Sequence, residues 1–377
     1  MRKSSILAAL ACVLLAGCCN KAQLKLWVFN PLDIERTLET VEIPWNKVTE
    51  ALSTADAAIT PEAVKVLDAK GAEIPSQVIY AGKEEPQAII FQATVPAMDH
   101  SHYVIVRGVP TDYPKQAFGR YVPERKDDYA WENNLTAWRI YGPALREEMV
   151  SAGIDVWSKT TGDLVIDEWY RVNNYHHDNG QGLDCYKVGV TLGGGASSPY
   201  ATDKLWYAGN WAEWETLENG PIRTSVKLSY SPFEVEGGQA SLVKIISLDA
   251  NTHFNKVTDN YGGVPSLAIA AGMPMHEGAK VADGEGWIAL TEPASDLQDP
   301  AAPGDISLGI VMPGVTTAVQ ADGHILIVRQ VEAASDLVYY SGSGYSRFGV
   351  ESPEAWTAIV ERQAKLVNSP LQIEYTR

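Results

Sequence analysis

The sequence predicts an all-β protein: a small N-terminal β-sandwich, a larger many-stranded sandwich after it, and one helix near the C-terminus. Three observations carry this. Short runs that alternate apolar and polar residues, or run apolar, recur along the chain with turn residues between them. No strand-like run alternates with helical patterns of about 10–15 residues, as a βαβ fold would require. Helical spacing of apolar residues is clear in one late segment alone. There is no internal repeat of roughly 20–50 residues, which argues against propellers and solenoids.

The runs "LKLWVFN", "TLETVEIPW", "AVKVLDAKGAEIPSQVIYAG", "QAIIFQATVPAM" and "HYVIVRGV" supply strands for a small antiparallel sandwich over residues 24–112. Lys70 and Gly71 sit between two alternating stretches and read as a hairpin turn. Residues 113–128, rich in Pro and charge, read as a linker. Strand-like runs resume over 129–377: "TAWRIYGPAL", "IDVWSK", "LVIDEWY", "IRTSVKLSYS", "ASLVKIISLD", "ISLGIVM", "HILIVRQV" and "DLVYYSGSGY". The helix starts where Ser352 can cap it and Pro353 can take its first position. Trp356, Ile359, Val360 and Ala364 then share one face, and Asn368-Ser369-Pro370 stops it.

The charge balance, 30 Lys+Arg against 47 Asp+Glu, argues against a nucleic-acid partner, because phosphate binding is driven by clustered cations. At the N-terminus Arg2 and Lys3 precede a short apolar run over residues 6–15, the pattern of a secretory signal peptide over 1–17. It ends in Leu15-Ala16-Gly17-Cys18, which resembles a bacterial lipobox with Cys18 as the lipidated residue and 18–23 as a tether. The resemblance implies an exported protein held at a bacterial membrane by lipid. Asn20-Lys21 lacks an acidic run, which favours an outer-membrane anchor facing the periplasm. Removal of 1–17 takes Arg2 and Lys3 and brings the net charge from −17 to −19, so an anionic substrate would have to meet a local basic pocket. Cys185 is the one cysteine in the globular part, which leaves no disulfide framework, and its alternating surroundings suggest a buried residue in a strand.

Eleven Trp and 17 Tyr stand against 6 Phe, a bias toward aromatics with a polar edge that suits half-wet surfaces. Flat rings bind the apolar faces of sugars, and Trp131, Trp206, Trp211 and Trp214 are candidates for that role, whereas Trp138 and Trp157 lie in alternating strands and read as core. The richest polar cluster is "WYRVNNYHHDNGQGLDCY", with Tyr175, His176, His177 and Asp184 around two glycines. His176 and His177 would point to opposite sides, so one of them reaches a given site. A second cluster carries Glu132, Asn133 and Arg139; a third carries Tyr340 on a Gly/Ser-rich run. His100-x-His102 and the spacing from His176 to Asp184 could hold a divalent cation, but no tight metal-ligand motif appears and no other cofactor is expected.

The blocks "KDDYAWENNLTAWRIYGPAL", "GIDVWSK", "YHHDNGQGLDCYKVG", "GPIRTSVKLSY", "ISLDANTHFNKV" and "YYSGSGY" resemble an exported bacterial family, domain-of-unknown-function family 4861. That family is similar to galactose-mutarotase-like supersandwich proteins, and its genes often lie in clusters that degrade pectin-like and other uronic-acid polysaccharides. The resemblance implies a supersandwich for the large unit and an acidic oligo- or polysaccharide as partner. Within it the residues favour β-elimination (a lyase). Arg139 or Arg223 would neutralise the uronate carboxylate, His176 or His177 would be the base, Tyr175 or Tyr340 the acid, and Asp184 would orient a histidine. A hydrolase would instead need two convergent carboxylates among Glu132, Asp184, Glu213 and Glu215, and an epimerase a carboxylate and a His. A non-catalytic sugar-binding lipoprotein would need the Trp platforms alone.

Overall fold

The computed structural model describes residues 22–54, 57–294, 302–314 and 316–376, so the segment 1–17 read as a signal peptide, Cys18 and most of the segment 18–23 read as a tether lie outside the described residues. The first unit is a sandwich. One sheet runs in the order Gln372–Thr376, Gln23–Phe29, His100–Arg107, Val64–Leu67, Glu73–Ile74, and the other in the order Arg36–Pro44, Ala88–Val95, Ser76–Ile79. Alternation places Leu26, Val28, Val41, Ile43, Phe91 and Ile105 between the sheets, and helix α1, Trp45–Leu52, adds Val48 and Leu52 to that core. The turn at Lys70-Gly71 forms as expected: Asp68 bonds back to Ala72, and Gly71 takes φ +79°, which suits a residue without Cβ.

Two expected boundaries move. The strand Gln372–Thr376 pairs antiparallel with Gln23–Phe29, so the chain returns to the first sandwich rather than staying in the large unit. Pairing there covers a sheet edge that would otherwise expose unpaired backbone groups. Residues 113–128 are not a bare linker either: Ala117–Val122 is a strand of the large unit, in register with Asp128–Asn133 from Ala117↔Asn133 to Val122↔Asp128.

The large unit contains a nine-stranded antiparallel sheet. Its order is Glu213–Asn219, Arg223–Ser229, Gly238–Asp249, Phe254–Gly262, Asp336–Tyr345, Asp305–Val311, Trp287–Pro293, Lys280–Gly284, with Phe233–Val235 beside Gly238–Asp249. Two five-stranded sheets accompany it. One runs Lys204–Leu205, Ser197–Ala201, Ser266–Pro274, His324–Glu332, Thr317–Ala321; the other runs Gly182–Leu183, Ile154–Lys159, Ala137–Ile140, Asp128–Asn133, Ala117–Val122. A single apolar core joins them through Trp131, Trp138, Ile154, Leu248, Val257 and Leu308.

The run "LVIDEWY" forms helix α2, Ile166–Val172, where alternation suggested a strand. The buried Glu132 carboxylate explains it: Glu132 accepts the N–H groups of Val165 at 2.9 Å and Ile166 at 2.8 Å. These are donors that a helix start leaves without partners, and Lys159 balances the charge from 2.9 Å. Ile166, Trp169 and Tyr170 then fall inward at helical spacing.

Helix α3, Pro353–Asn368, follows the sequence reading closely. Ser352 Oγ accepts the N–H of Ala355, and Trp356, Val360 and Ala364 are buried. Trp356 stacks on Phe254 at 5.7 Å, and its indole N–H donates to the Leu308 carbonyl at 2.7 Å. Truncating Trp356 to Ala should lower the unfolding free energy by about 3–5 kcal/mol through the cavity it leaves. A denaturant titration reads this directly, and an unchanged midpoint would contradict the packing described.

Candidate functional site

Helix α2 ends with Asn173 in the left-handed region, φ 54°, and the chain then turns back over the sheet that carries Arg139. Three successive residues take different fates: Tyr175 is buried, His176 is half-buried and His177 is exposed. The loop is pinned by several contacts. Asp178 accepts the N–H of Gly180 at 2.8 Å and pairs with Arg347 at 2.7 Å, while the Asp184 N–H donates to the Tyr175 carbonyl at 2.7 Å.

Beneath the loop lies a buried charged network. Arg139 stands opposite Asp155 in the strand register and is 3% exposed. Its Nε donates to Asp155 at 2.8 Å and its Nη2 to Asp184 at 2.8 Å and to Asp155. Its Nη1 reaches the Tyr175 hydroxyl at 3.3 Å and lies 3.7 Å from Asp128. The rings of Tyr141, Trp157 and Tyr175 stand 5.3 to 5.5 Å from the guanidinium carbon, an arrangement that favours a cation. Burial works against the guanidinium charge, but Asp155 and Asp184 outweigh it and hold Arg139 protonated. Burial and repulsion from Asp155 raise the Asp184 carboxyl well above the ordinary range against the pull of Arg139. Asp128 is pushed up to about 7 by burial, with Arg139 and Arg125 pulling the other way.

His176 sits on the rim of this network. Its Nδ1 is 3.0 Å from the Asp184 carbonyl and 3.5 Å from the Asp184 carboxylate. A carbonyl only accepts, so Nδ1 carries the proton and Nε2 the basic lone pair. Desolvation lowers the His176 pKa, so the ring is neutral at pH 7 and able to take a proton. Arg125, half-buried, completes the rim: its Nε donates to the Tyr175 hydroxyl at 3.1 Å, and its buried Nη1 has no hydrogen-bond partner among the described residues. Asp184 Oδ1, Asp128 Oδ1 and the Tyr186 hydroxyl are also buried without one.

The structure therefore brings together Arg139, Tyr175, His176 and Asp184, and sets the other candidates apart. Arg139 is corrected from a substrate-binding to an enclosed residue, its donors spent on carboxylates. Tyr175, 4% exposed, holds Arg125 and Arg139 rather than meeting a substrate. His177 is exposed to solvent. Arg223 lies between the two units, paired with Asp249 at 2.6 Å and Glu42 at 2.9 Å, so its charge is already committed and not open to a uronate. Tyr340 is near that pair and Glu39, packed beside α3, away from His176.

The indole candidates separate by burial. Trp131 and Trp211 are core residues, with Trp131 Nε1 donating to Asn255 at 2.7 Å, which corrects the platform reading of both. Glu132 starts α2, and Asn133 is spent on a turn, accepting from Leu135 and Thr136 and donating to Asp249 and Thr252. Trp206 is half-buried with Lys204 over its ring at 4.2 Å. Trp214 is 40% exposed and stacked on Tyr121 at 4.8 Å, and Trp27 on the first sandwich is 44% exposed. Trp138 and Trp157 are core, as their strands suggested. Glu213 and Glu215 lie exposed on a sheet strand, unlike the enclosed carboxylates. Cys185 is buried, just past the short strand Gly182–Leu183.

Two groups escaped the sequence reading. Arg125 was hidden inside the charged segment read as a linker. His276 and Glu292 form an imidazole–carboxylate pair at 2.9 Å with Glu292 fully enclosed, and the available signal was a lone carboxylate inside the apolar run "WIALTEP". Among the described residues, no three His, Cys, Asp or Glu side chains group to hold a metal ion. A cavity of about 380 Å³ lies elsewhere, between α3 and the strands Lys280–Gly284 and Trp287–Pro293; it touches none of the charged network.

Comparison with known proteins places the chain. A family model for a domain of unknown function, DUF4861, matches residues 28–373, and the chain belongs to that family. It is 29% identical over 378 residues to uncharacterized protein P7 of Formosa agariphila, covering 92% of each. Among solved structures it is similar to a protein of glycosyl hydrolase family 38 from Enterococcus faecalis, with TM-score 0.50, 12% identity, and coverage of 94% of this chain and 48% of that one. An alpha-mannosidase from Enterococcus faecalis V583 gives TM-score 0.47 at 10% identity, covering 94% of this chain and 46% of that one. The chain thus spans about half the length of either solved protein. At 12% identity the likeness to the glycosyl hydrolase family 38 protein is one of fold.

The raised Asp128 carboxyl has a consequence for stability. Its folded pKa exceeds the unfolded one, so the folded state binds the extra proton and stability falls as pH rises from about 4 toward 7. Asp128→Asn should flatten that decline in unfolding free energy measured across this range. An unchanged slope would contradict the environment described for Asp128.

Proposed function

We propose that this chain is a carbohydrate-active enzyme that cleaves uronic-acid-containing glycans by β-elimination, with His176 as the base. The observation that carries the proposal is the neutral, half-buried His176, whose Nδ1 is held by Asp184 over an enclosed Arg–Asp network, so that Nε2 is the basic nitrogen. In this reaction Nε2 takes the proton from C5, the electron pair forms the C4–C5 double bond, and the C4–O4 bond breaks as O4 gains a proton. The acidified carbon next to the carboxylate needs a cation, and Arg125, half-buried at the rim beside Tyr175, takes the part first expected of Arg139 or Arg223. Asp184 holds the imidazole and Arg139 holds Asp184, so these two position the base without touching substrate.

Hydrolysis fits the same region less well. It needs two carboxylates with access to a sugar and a water, whereas Asp128, Asp155 and Asp184 are sealed in. The carbohydrate reading also draws on the fold shared with a glycosyl hydrolase family 38 protein. The uronate specificity, the lipid anchor at Cys18 and the periplasm-facing outer-membrane location belong to the proposal as well.

Incubation with uronic-acid oligo- and polysaccharides should yield the ultraviolet absorbance of an unsaturated uronide. His176→Ala should cut that rate by about a hundred- to ten-thousand-fold, the span typical of a positioned base. Saturated sugar release without this absorbance, or full activity in His176→Ala, would contradict the assignment. Cys18→Ser should move the protein from the membrane fraction to the soluble one, and retention in the membrane would contradict the anchor.

A further inference from the structure

The first sandwich uses its two sheets differently. The sheet of Arg36–Pro44, Ala88–Val95 and Ser76–Ile79 meets the large unit: Gln92 donates to the Ala250 carbonyl at 2.7 Å, Gln77 donates to the Arg223 carbonyl at 3.1 Å, and Glu42 pairs with Arg223. The other sheet turns its outer face to solvent. Alternation should make such a face polar, and along Gln372–Thr376 it does, with Gln372, Glu374 and Thr376 exposed. The strand Gln23–Phe29 breaks the rule. Leu26 and Val28 enter the core, so Lys25, Trp27 and Phe29 point outward, and Trp27 is 44% exposed.

The strand register lines up a row of rings on that face. Trp27 stands opposite His102 on one side and Glu374 on the other, and Phe29 stands opposite His100 and Gln372. Residues paired in this way share a face and touch. The ring centroids of Trp27 and His102 are 4.9 Å apart, those of Phe29 and His100 4.7 Å, and Trp27 meets His100 edge-on at 6.2 Å. Trp27 and Phe29 are about 7 Å apart along the strand, two residues at its usual rise. Lys25 extends the row by one more position, opposite Thr376. The motif His100-x-His102, first read as a possible cation site, is thus part of an aromatic row.

We infer that this row is a glycan-binding face, on which successive pyranose rings of a polysaccharide lie flat over Trp27 and Phe29. That the polysaccharide is a uronide rests on the β-elimination reading; the face itself is separate from His176. A pyranose presents C–H groups over its flat side and hydroxyls around its edge. The indole takes the flat side, while Glu374, Gln372 and His102 beside it accept from or donate to the hydroxyls. Lys25 supplies a cation for a carboxylate. A protein partner fits less well, because the centre of a protein interface is depleted of charge and here Glu374 flanks the indole directly. An anionic bilayer would be repelled by Glu374 and by Asp99, which lies 3.9 Å from His100. A long chain held on this face stays concentrated near the large unit of the same molecule.

Native electrophoresis of the full chain through gels containing polygalacturonate, alginate or glucuronan provides the test. At least one of these should retard wild type. Trp27→Ala should weaken that retention about tenfold, the worth of one stacked ring, and Trp27→Phe should restore most of it. Unfolding curves establish that both variants are folded. No retention of wild type in any of the three gels, or Trp27→Ala retained like wild type, would overturn the inference; unsaturated product formed from a short uronide would show that the elimination reading survives. Retention lost in Trp27→Ala, with no unsaturated product from any uronide, would instead leave the glycan face standing and overturn the elimination reading. Cosedimentation with phosphatidylcholine vesicles that Trp27→Ala abolishes, without retention by any glycan, would assign the face to a membrane and overturn the inference.

Discussion

The enclosure of the Arg139 guanidinium organises the large unit around one charge. A cation 3% exposed persists only if carboxylates and aromatic faces meet it on every side, and here Asp155, Asp184 and Asp128 do so with Tyr141, Trp157 and Tyr175. Those partners come from separate pieces of chain: Asp128 and Asp155 from the strands flanking Arg139, Tyr175 and Asp184 from the loop after α2. Each piece is therefore placed relative to the others by the same few charge-assisted bonds. Breaking one would leave the rest as uncompensated buried charge, which is why the network behaves as a unit.

The catalytic role proposed for His176 rests on that geometry. A histidine on a loop is ordinarily solvated and loosely placed. His176 differs because Asp184 holds it, Arg139 holds Asp184, and the sheet register holds Arg139 against Asp155. Partial burial then keeps the ring neutral. The role proposed for Arg125 rests on its place beside Tyr175, where its Nε donates to the hydroxyl at 3.1 Å and the residue is half-buried. In the proposed reaction Arg125, half-buried at the rim, is the cation that meets the uronate.

Much of the architecture was legible in the sequence because it depends on local rules. Alternation, the Lys70-Gly71 turn and the Ser352-Pro353 start of α3 each reflect a period or a cap that neighbouring residues determine. The prominence of "YHHDNGQGLDCY" was also visible from composition. What could not be read depended on distant partners. The run "LVIDEWY" alternates like a strand, and it takes Glu132, more than thirty residues earlier, to satisfy its first N–H groups and make it a helix. Trp131 and Trp211 looked no different from Trp214 until three-dimensional packing buried two and exposed one. Likewise Arg139 and Arg125 are both arginines in polar blocks, and only the convergence of three carboxylates shows which of them is spent.

The central claim is that His176, seated on the Asp184–Arg139 network, removes the proton from C5 of a uronate. The most direct measurement follows that proton by NMR, with a uronide substrate deuterated at C5, in wild type and in His176→Ala shown by its unfolding curve to be folded. The account predicts that wild type releases the C5 deuterium in step with double-bond formation and slows relative to the protiated substrate, while the folded variant leaves C5–D intact. Product formed with C5 deuterium retained, or C5 deuterium lost at wild-type rate in the variant, would contradict it.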